Sequence, residues 1–156
     1  ISFYDKVLAL DPNNIKALYN KGKALSQLGN FVKSLNNAAI SYYDKVLSLD
    51  PNNIGALYNK GNALVKLGNY NGAISFYDKV LALDPNNIGA LYSKGNALVK
   101  VGNLNGAISS FDKVLSLNST NAKALKGKSD IQAKLDKQKG TTTSPNKAST
   151  STTLSK

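Results

Sequence analysis

Nine aspartates are the only carboxylates in this 156-residue chain, and Cys, His, Glu, Arg, Met and Trp are all absent. That inventory removes most catalytic chemistry. Without Cys or His, zinc and iron lose their usual ligands. Without an imidazole, a serine or threonine nucleophile has no customary base. Without Cys there is no disulfide framework. The aspartates recur in the strings YDK (Asp5, Asp44, Asp78) and LDP (Asp50, Asp84), each beside a lysine or at the end of a helical pattern. Such recurrence indicates structural duty rather than a paired-carboxylate active site. Lys60-Gly61-Asn62 sits inside a helical pattern, and no Gly-x-x-x-x-Gly-Lys-Ser/Thr string exists to cradle phosphate. No catalytic site, metal or cofactor is expected.

The remaining charge is lysine. Twenty Lys against nine Asp give a net charge of +11. Residues 1–121 hold 12 Lys and 7 Asp, whereas residues 122–156 hold 8 Lys and 2 Asp. A basic C-terminal segment attracts anionic partners. Arginine, the usual bidentate reader of bases and phosphates, is missing, so specific nucleic-acid recognition is not expected. No apolar run reaches the ~20 residues of a membrane span. The chain begins at Ile1 without an initiator Met, as a processed or partial product would.

These side chains are positioned by a repeat. Residues 54–87 and 88–121 are both 34 residues long and agree at 25 positions. Residues 15–53 are the same unit with five extra residues. Residues 1–14 match only its second half, and residues 122–139 only its first. Each unit carries two helical patterns. Ala56, Leu57, Leu64 and Leu67 mark the first, which Gly68-Asn69 stops. Ala73, Ile74, Tyr77, Val80 and Leu81 mark the second, which ends at Asp84-Pro85-Asn86-Asn87, with an Asn placed to cap the next helix. Asn71-Gly72 alone would suggest a hairpin, but its flanks have helical spacing. The extra residues fall in FVKSLNNAAISYY. Val32 and Leu35 share a stripe with Ala39, Tyr43, Val46 and Leu47, which predicts that this helix starts early, near Val32.

The length and the small-residue pattern resemble the tetratricopeptide repeat, whose signature has Leu and Gly in the first helix, Ala-x-x-x-aromatic in the second and Pro at the end. At the signature positions stand Leu18, Gly22, Leu25, Ala39, Tyr43 and Pro51, then Leu57, Gly61, Leu64, Ala73, Tyr77 and Pro85, then Leu91, Gly95, Leu98, Ala107 and Phe111. Leu replaces the signature Trp throughout. Lys21, Lys60 and Lys94 replace the aliphatic residue before Gly, and their ammonium groups are expected to reach water. Ser119 replaces the third Pro, which predicts a looser junction into the last helix. The resemblance implies an all-α, right-handed solenoid of antiparallel helix pairs. It has an incomplete repeat at 1–14, repeats at 15–53, 54–87 and 88–121, a terminal helix at 122–139 and a Ser/Thr-rich tail at 140–156.

The resemblance also implies a concave groove lined by first helices. It places Tyr19, Tyr58 and Tyr92 at one groove position, and Asn20, Asn59 and Ser93 at the next. Lys23, Asn62 and Asn96 follow, with Lys66 and Lys100 nearby. Asparagines donate and accept, so a row of them can pair with peptide backbone without reading sequence. Tyrosine adds rigid apolar area. The equally available reading is that these residues are repeat consensus copied by duplication. Relatives that clamp a terminal carboxylate carry Lys where this chain has Tyr19, which weakens that use.

Two kinds of protein–protein interaction follow. In the first, Phe3, Tyr4, Val7 and Leu8 of one copy meet Leu125, Ile131 and Leu135 of another, making a composite repeat and, head to tail, a filament. In the second, the chain is a soluble adaptor whose groove holds an acidic or extended peptide. Against the filament, Lys123, Lys126, Lys128, Ser129, Asp130 and Lys134 give the last helix the polar face of a cap. The tail cannot build a core. It reads as a linker or as a stalk carrying O-glycans on Thr141, Thr142, Thr143, Ser144, Thr150, Thr152 and Thr153. Asn118-Ser119-Thr120 is an N-glycosylation sequon. Together these signals point to a secreted or cell-surface location in preference to the cytoplasm.

Overall fold

The structure, a computed structural model, describes residues 1–142, and asparagine and glycine punctuate it into helices. These are α1 (Ser2–Leu10), α2 (Ile15–Leu28), α3 (Lys33–Leu49), α4 (Ile54–Lys66), α5 (Tyr70–Leu83), α6 (Ile88–Lys100), α7 (Leu104–Leu117) and α8 (Ala122–Thr142). Asn14, Asn53, Asn87 and Asn121 open α2, α4, α6 and α8. Each side-chain oxygen accepts the N–H of an alanine three residues on, at 2.9–3.0 Å. Asn69 and Asn103 cap α5 and α7 in the same way, accepting from Gly72 and Gly106 at 2.9 Å. One such cap is worth ~1 kcal/mol against alanine. The Asn71-Gly72 pair therefore lies in the first turn of a helix. Gly68 and Gly102 have φ near +80°. That lets Asn69 N–H reach back to the Leu64 carbonyl, and Asn103 N–H to that of Leu98, both at 2.9 Å.

Each helix packs on its chain neighbours, while α2, α4, α6 and α8 also touch one another and form the inner layer. The core is one aromatic ring per pair: Tyr43, Tyr77 and Phe111 are at most 1% exposed. Valines 46, 80 and 114 and alanines 39, 73 and 107 close around them. Burying one such ring is worth roughly 1.5–3 kcal/mol. The rings lie against glycines of the paired inner helix; a Cβ on Gly61 would stand 2.7 Å from Tyr77 Cε1.

The lysines before those glycines do not simply reach water. Lys21 pairs with Asp5, Lys60 with Asp44, and Lys94 with Asp78 at 2.6 Å. In each pair the aspartate comes from the preceding outer helix, sixteen residues back. Lys128 continues the ladder to Asp112 at 2.6 Å. Lys21 also lies 4.7 Å over the Tyr42 ring and Lys60 4.4 Å over Phe76. The Asp5 carboxylate, and after it the Tyr42 hydroxyl, hold Lys21 above the usual lysine range. The aspartates are half exposed, so each pair contributes ~1 kcal/mol at most.

The five extra residues of the first unit are distributed: α2 is one residue longer than α4, the turn one longer and α3 three longer than α5. Leu35 packs into the first core cluster. Val32 does not share that stripe. It precedes α3 in extended conformation and is 49% exposed. Gly29 keeps φ −64°, so the glycine-based turn of the later units is absent here. Instead buried Asn36 donates to the Gly29 carbonyl at 2.8 Å.

The junction carrying Ser119 keeps the backbone turn of the others but lacks the bond from the capping Asn amide to the aspartate that Asn14, Asn53 and Asn87 make. Asn121 N–H donates to the Asn118 carbonyl at 3.1 Å, as Asn87 does to Asp84. Asn118 takes over the aspartate's role, its Oδ1 accepting from Thr120 N–H at 3.2 Å. The last helix runs through Thr142, past the boundary expected at residue 139. Ile131 is 1% exposed, and Leu135 packs against the cluster built on α6 and α7. Among the described residues no helix is long and apolar enough to cross a membrane.

Candidate functional site

The inner helices end together on one side of the stack, and a concavity of about 480 Å³ opens there. Its floor holds the core tyrosines Tyr43 and Tyr77. Its walls are the middle and last turns of α2, α4 and α6, with Tyr70 from the start of α5. Of the residues expected in a groove, Lys23, Asn59, Asn62, Lys66, Ser93, Asn96 and Lys100 line it. Lys23, Lys66 and Lys100 bring three positive charges, and no carboxylate lines the concavity.

Tyr19 and Tyr58 serve differently from the expectation. The Tyr19 hydroxyl accepts from Asn59 Nδ2 at 2.9 Å, and the Tyr58 hydroxyl shares a hydrogen bond with Ser93 Oγ at 3.2 Å. Each joins one inner helix to the next, so these hydroxyls stitch repeats together. Their rings tilt against Tyr43 and Tyr77, and Tyr92 stands against Phe111 with centroids 5.7 Å apart. Tyr19, Tyr58 and Tyr92 thus form the seam behind the wall. Asn20 is half-buried and lies outside the concavity.

The site also uses residues that the repeat pattern hid in the core. In the second unit the Tyr77 hydroxyl donates to Asn62 Oδ1 at 2.7 Å. That fixes the amide, leaving Nδ2 as the group Asn62 can offer a ligand. In the first unit Lys23 stands in place of this Asn, and the buried Tyr43 hydroxyl makes no hydrogen bond of normal geometry, with the Ser26 hydroxyl its polar neighbour. In the third unit Phe111 stands in place of the Tyr, and no hydrogen bond among the described residues engages the exposed Asn96 side chain. Comparing Asn62–Tyr77 with Lys23–Tyr43 and Asn96–Phe111 across the units was the signal that could have revealed this coupling.

Burial, reinforced by the neighbouring Tyr19 and Tyr58, pushes the Tyr43 and Tyr77 phenols well above their ordinary range; the hydroxyls of Ser26 and Ser93 oppose the shift only partly. Lys66 crosses to the preceding inner helix, where its ammonium donates to the Ser26 carbonyl at 2.6 Å and to Ser26 Oγ at 3.3 Å. Desolvation there lowers its pKa. Among the described residues no group of Asp, Glu, His or Cys is placed to hold a metal ion.

The family follows from two models of the tetratricopeptide repeat, one matching residues 55–87 and the other residues 3–36 and 76–109. Together they span more than half of the chain. The protein belongs to the tetratricopeptide repeat family. No curated protein matches it at a significant level. Among solved structures it is similar to MamA from Desulfovibrio magneticus RS-1. That match, to MamA from residue 41 to its end, has 27% identity and a TM-score of 0.79, covering 90% of this chain and 77% of that one. It is similar to the second tetratricopeptide domain of human RPAP3 in complex with the HSP70 peptide SGPTIEEVD, at 25% identity and TM-score 0.65, covering 76% of this chain and 98% of that one. The first such domain of Spaghetti (RPAP3), bound to the HSP90 peptide SRMEEVD, matches at 26% identity and TM-score 0.64, covering 76% and 95%. The fold is thus a right-handed tetratricopeptide solenoid, a protein-interaction scaffold.

Among the residues named for self-assembly, Phe3 is 70% and Leu125 49% exposed, and Tyr4, Val7 and Leu8 are half-buried. Ile131, Leu135 and Leu8 are corrections to that set, because α8 already spends the first two on α6 and α7, and Leu8 packs against the first core cluster. Asn118 is exposed, its Oδ1 accepting from both Thr120 N–H and Thr120 Oγ1. Thr141 and Thr142 fall in the last turn of α8. Thr143, Ser144, Thr150, Thr152 and Thr153 lie outside the described residues.

Proposed function

We propose that the protein is a non-catalytic adaptor whose concave face holds an extended, acidic peptide. The observation that carries this reading is the lining itself: Lys23, Lys66 and Lys100 with no opposing carboxylate, interleaved with Asn59, Asn62 and Asn96. The amides suit peptide backbone, and the ammonium groups suit carboxylate side chains. Lys66 is partly desolvated before any ligand arrives, so exchanging Ser26 for a carboxylate adds charge pairing at reduced desolvation cost. The two RPAP3 domains carry acidic peptides, which supports the same ligand class.

The test is fluorescence anisotropy with a labelled glutamate-rich peptide and its lysine-for-glutamate counterpart. Only the acidic peptide should bind. The double substitution K66A/K100A should weaken it ~tenfold, equivalent to ~1.4 kcal/mol, with less effect at high salt. Equal binding of both peptides, or an unchanged affinity in the double variant, refutes the reading.

Exposed Phe3 favours a second reading, self-association. With Ile131 and Leu135 occupied within the chain, a head-to-tail contact would rest on α1 and Leu125. Sedimentation of the full chain at high concentration decides it: filaments lost on Phe3→Ser support the contact, and a monomer opposes it. The exposed sequon at Asn118 favours a glycosylated, extracellular chain. An intact mass from the native source equal to the bare chain would remove that reading.

A further inference from the structure

The first repeat differs from the others at the rim of the concavity. In the second and third units a glycine-based turn joins inner to outer helix. In the first unit the longer turn carries Leu28, Phe31 and Val32, which are 48%, 89% and 49% exposed. Gln27, immediately before them, lines the concavity, and Ser26 is the residue Lys66 grips. The apolar turn therefore continues the charged wall at its first-repeat end. It is held in place: Asn36 donates to the Gly29 carbonyl from a fully buried position, and Leu35 is packed beneath. That anchoring leaves Asn36 Oδ1 buried without a partner, an unfavourable arrangement that nonetheless fixes three apolar side chains at the surface.

Resting on the groove reading above, we infer that the Leu28–Phe31–Val32 turn is a specificity subsite, and that it takes a large apolar residue flanking the acidic part of the same bound peptide. The occupant is argued from continuity and charge. The concavity selects carboxylates through three lysines, but lysines alone cannot tell one acidic segment from another. The turn at its mouth adds the apolar contact that can. The other turns offer less: in the third only Val101, 40% exposed, stands beside Gly102-Asn103, and no aromatic side chain like Phe31 sits in either turn.

The experiment uses the full chain and labelled peptides with a four-glutamate core, carrying Leu-Phe or Ala-Ala on one flank, made in both flank orientations. Wild type should prefer the Leu-Phe peptide in one orientation by ~tenfold, the scale of burying a large side chain. Phe31→Ser should abolish the preference while leaving the Ala-Ala affinity unchanged. Its helical circular dichroism should match wild type, since Phe31 is almost fully exposed. K66A/K100A should weaken both peptides. If wild type binds both flanks equally in both orientations, the turn is no subsite and the groove reading survives. A loss of affinity shared by both peptides in Phe31→Ser likewise overturns the subsite. If no acidic peptide binds wild type, the groove reading fails and this inference falls with it.

Discussion

Tyr43→Phe and Tyr77→Phe remove the same atom from equivalent places, and they should shift stability in opposite directions. Both rings are at most 1% exposed, and the third unit carries Phe111 at this place, so a phenylalanine fits the packing. The Tyr77 hydroxyl donates to Asn62 Oδ1 at 2.7 Å. Removing it loses one hydrogen bond, ~1 kcal/mol net, because half-exposed Asn62 can turn to water. The Tyr43 hydroxyl is buried, and its approach to the Ser26 hydroxyl falls short of a normal hydrogen bond. Removing it relieves an unsatisfied polar group and should stabilise by ~1 kcal/mol. For a chain of this size each change moves the midpoint by roughly 2–4 °C. Asn62→Ala supplies the control. It strands the Tyr77 hydroxyl and should cost more than Tyr77→Phe, ~2 kcal/mol, while the double variant recovers part of the loss. The assay is thermal and urea unfolding by circular dichroism, with calorimetry to check that the stacked repeats melt together. Equal destabilisation by Tyr43→Phe and Tyr77→Phe would show that hydroxyl partnership does not distinguish the sites, and the reasoning would fail.

Two further outcomes follow from the same geometry. Gly61→Ala should destabilise by ~2 kcal/mol, because its Cβ would meet the buried Tyr77 ring at 2.7 Å; Gly68→Ala should cost ~1 kcal/mol through its φ of +80° alone, with open space around it, so a larger loss at Gly68 in urea melts would contradict the packing account. Tyr43 and Tyr77 should stay protonated in the folded chain well above the ordinary tyrosine range. Their raised pKa values mean that the stability they contribute is complete below the unfolded value near 10 and is lost as pH rises above it, so ultraviolet titration should show their ionisation only as helicity collapses. Ionisation of Tyr43 and Tyr77 with the helicity intact would refute it.

What the sequence made legible was local. Each asparagine cap acts on an amide three residues away, and each glycine turn on the preceding turn of its own helix, so spacing alone announced them. The aromatic core followed from a helical stripe. What stayed hidden lay between units. The expectation that Lys21, Lys60 and Lys94 reach water was incomplete, because each also pairs with an aspartate on the preceding outer helix. Only the constant sixteen-residue interval to Asp5, Asp44 and Asp78 recorded that geometry. The bond from Asn59 to Tyr19 spans forty residues, and nothing local marks it. Ile131 read as a sticky edge because its stripe looks the same whether it faces the third repeat or another molecule. Val32 read as core because periodicity continues on paper after the helix itself has stopped.

The departures from the repeat, rather than the repeat, carry the chemistry of the concavity. Were the three units interchangeable, their shared inner-helix position would present one group three times. It presents Lys23, then Asn62, then Asn96, and the residue behind each decides what that group can do. Phe111 leaves Asn96 uncommitted, so it can both donate and accept. Tyr77 occupies the oxygen of Asn62 and turns that residue into a donor. Tyr43 makes no hydrogen bond of normal geometry, and Lys23 in front of it contributes charge. Moving from third unit to first, the wall passes from an adaptable amide to a fixed donor to a cation, and Lys66 leans towards that same first-unit end to grip Ser26. An acidic segment lying along such a wall is not symmetric with respect to reversal. On the proposed reading such a segment meets Lys23 and Lys66 towards the first-repeat end and Lys100 at the other, with the fixed donor of Asn62 between two unlike neighbours.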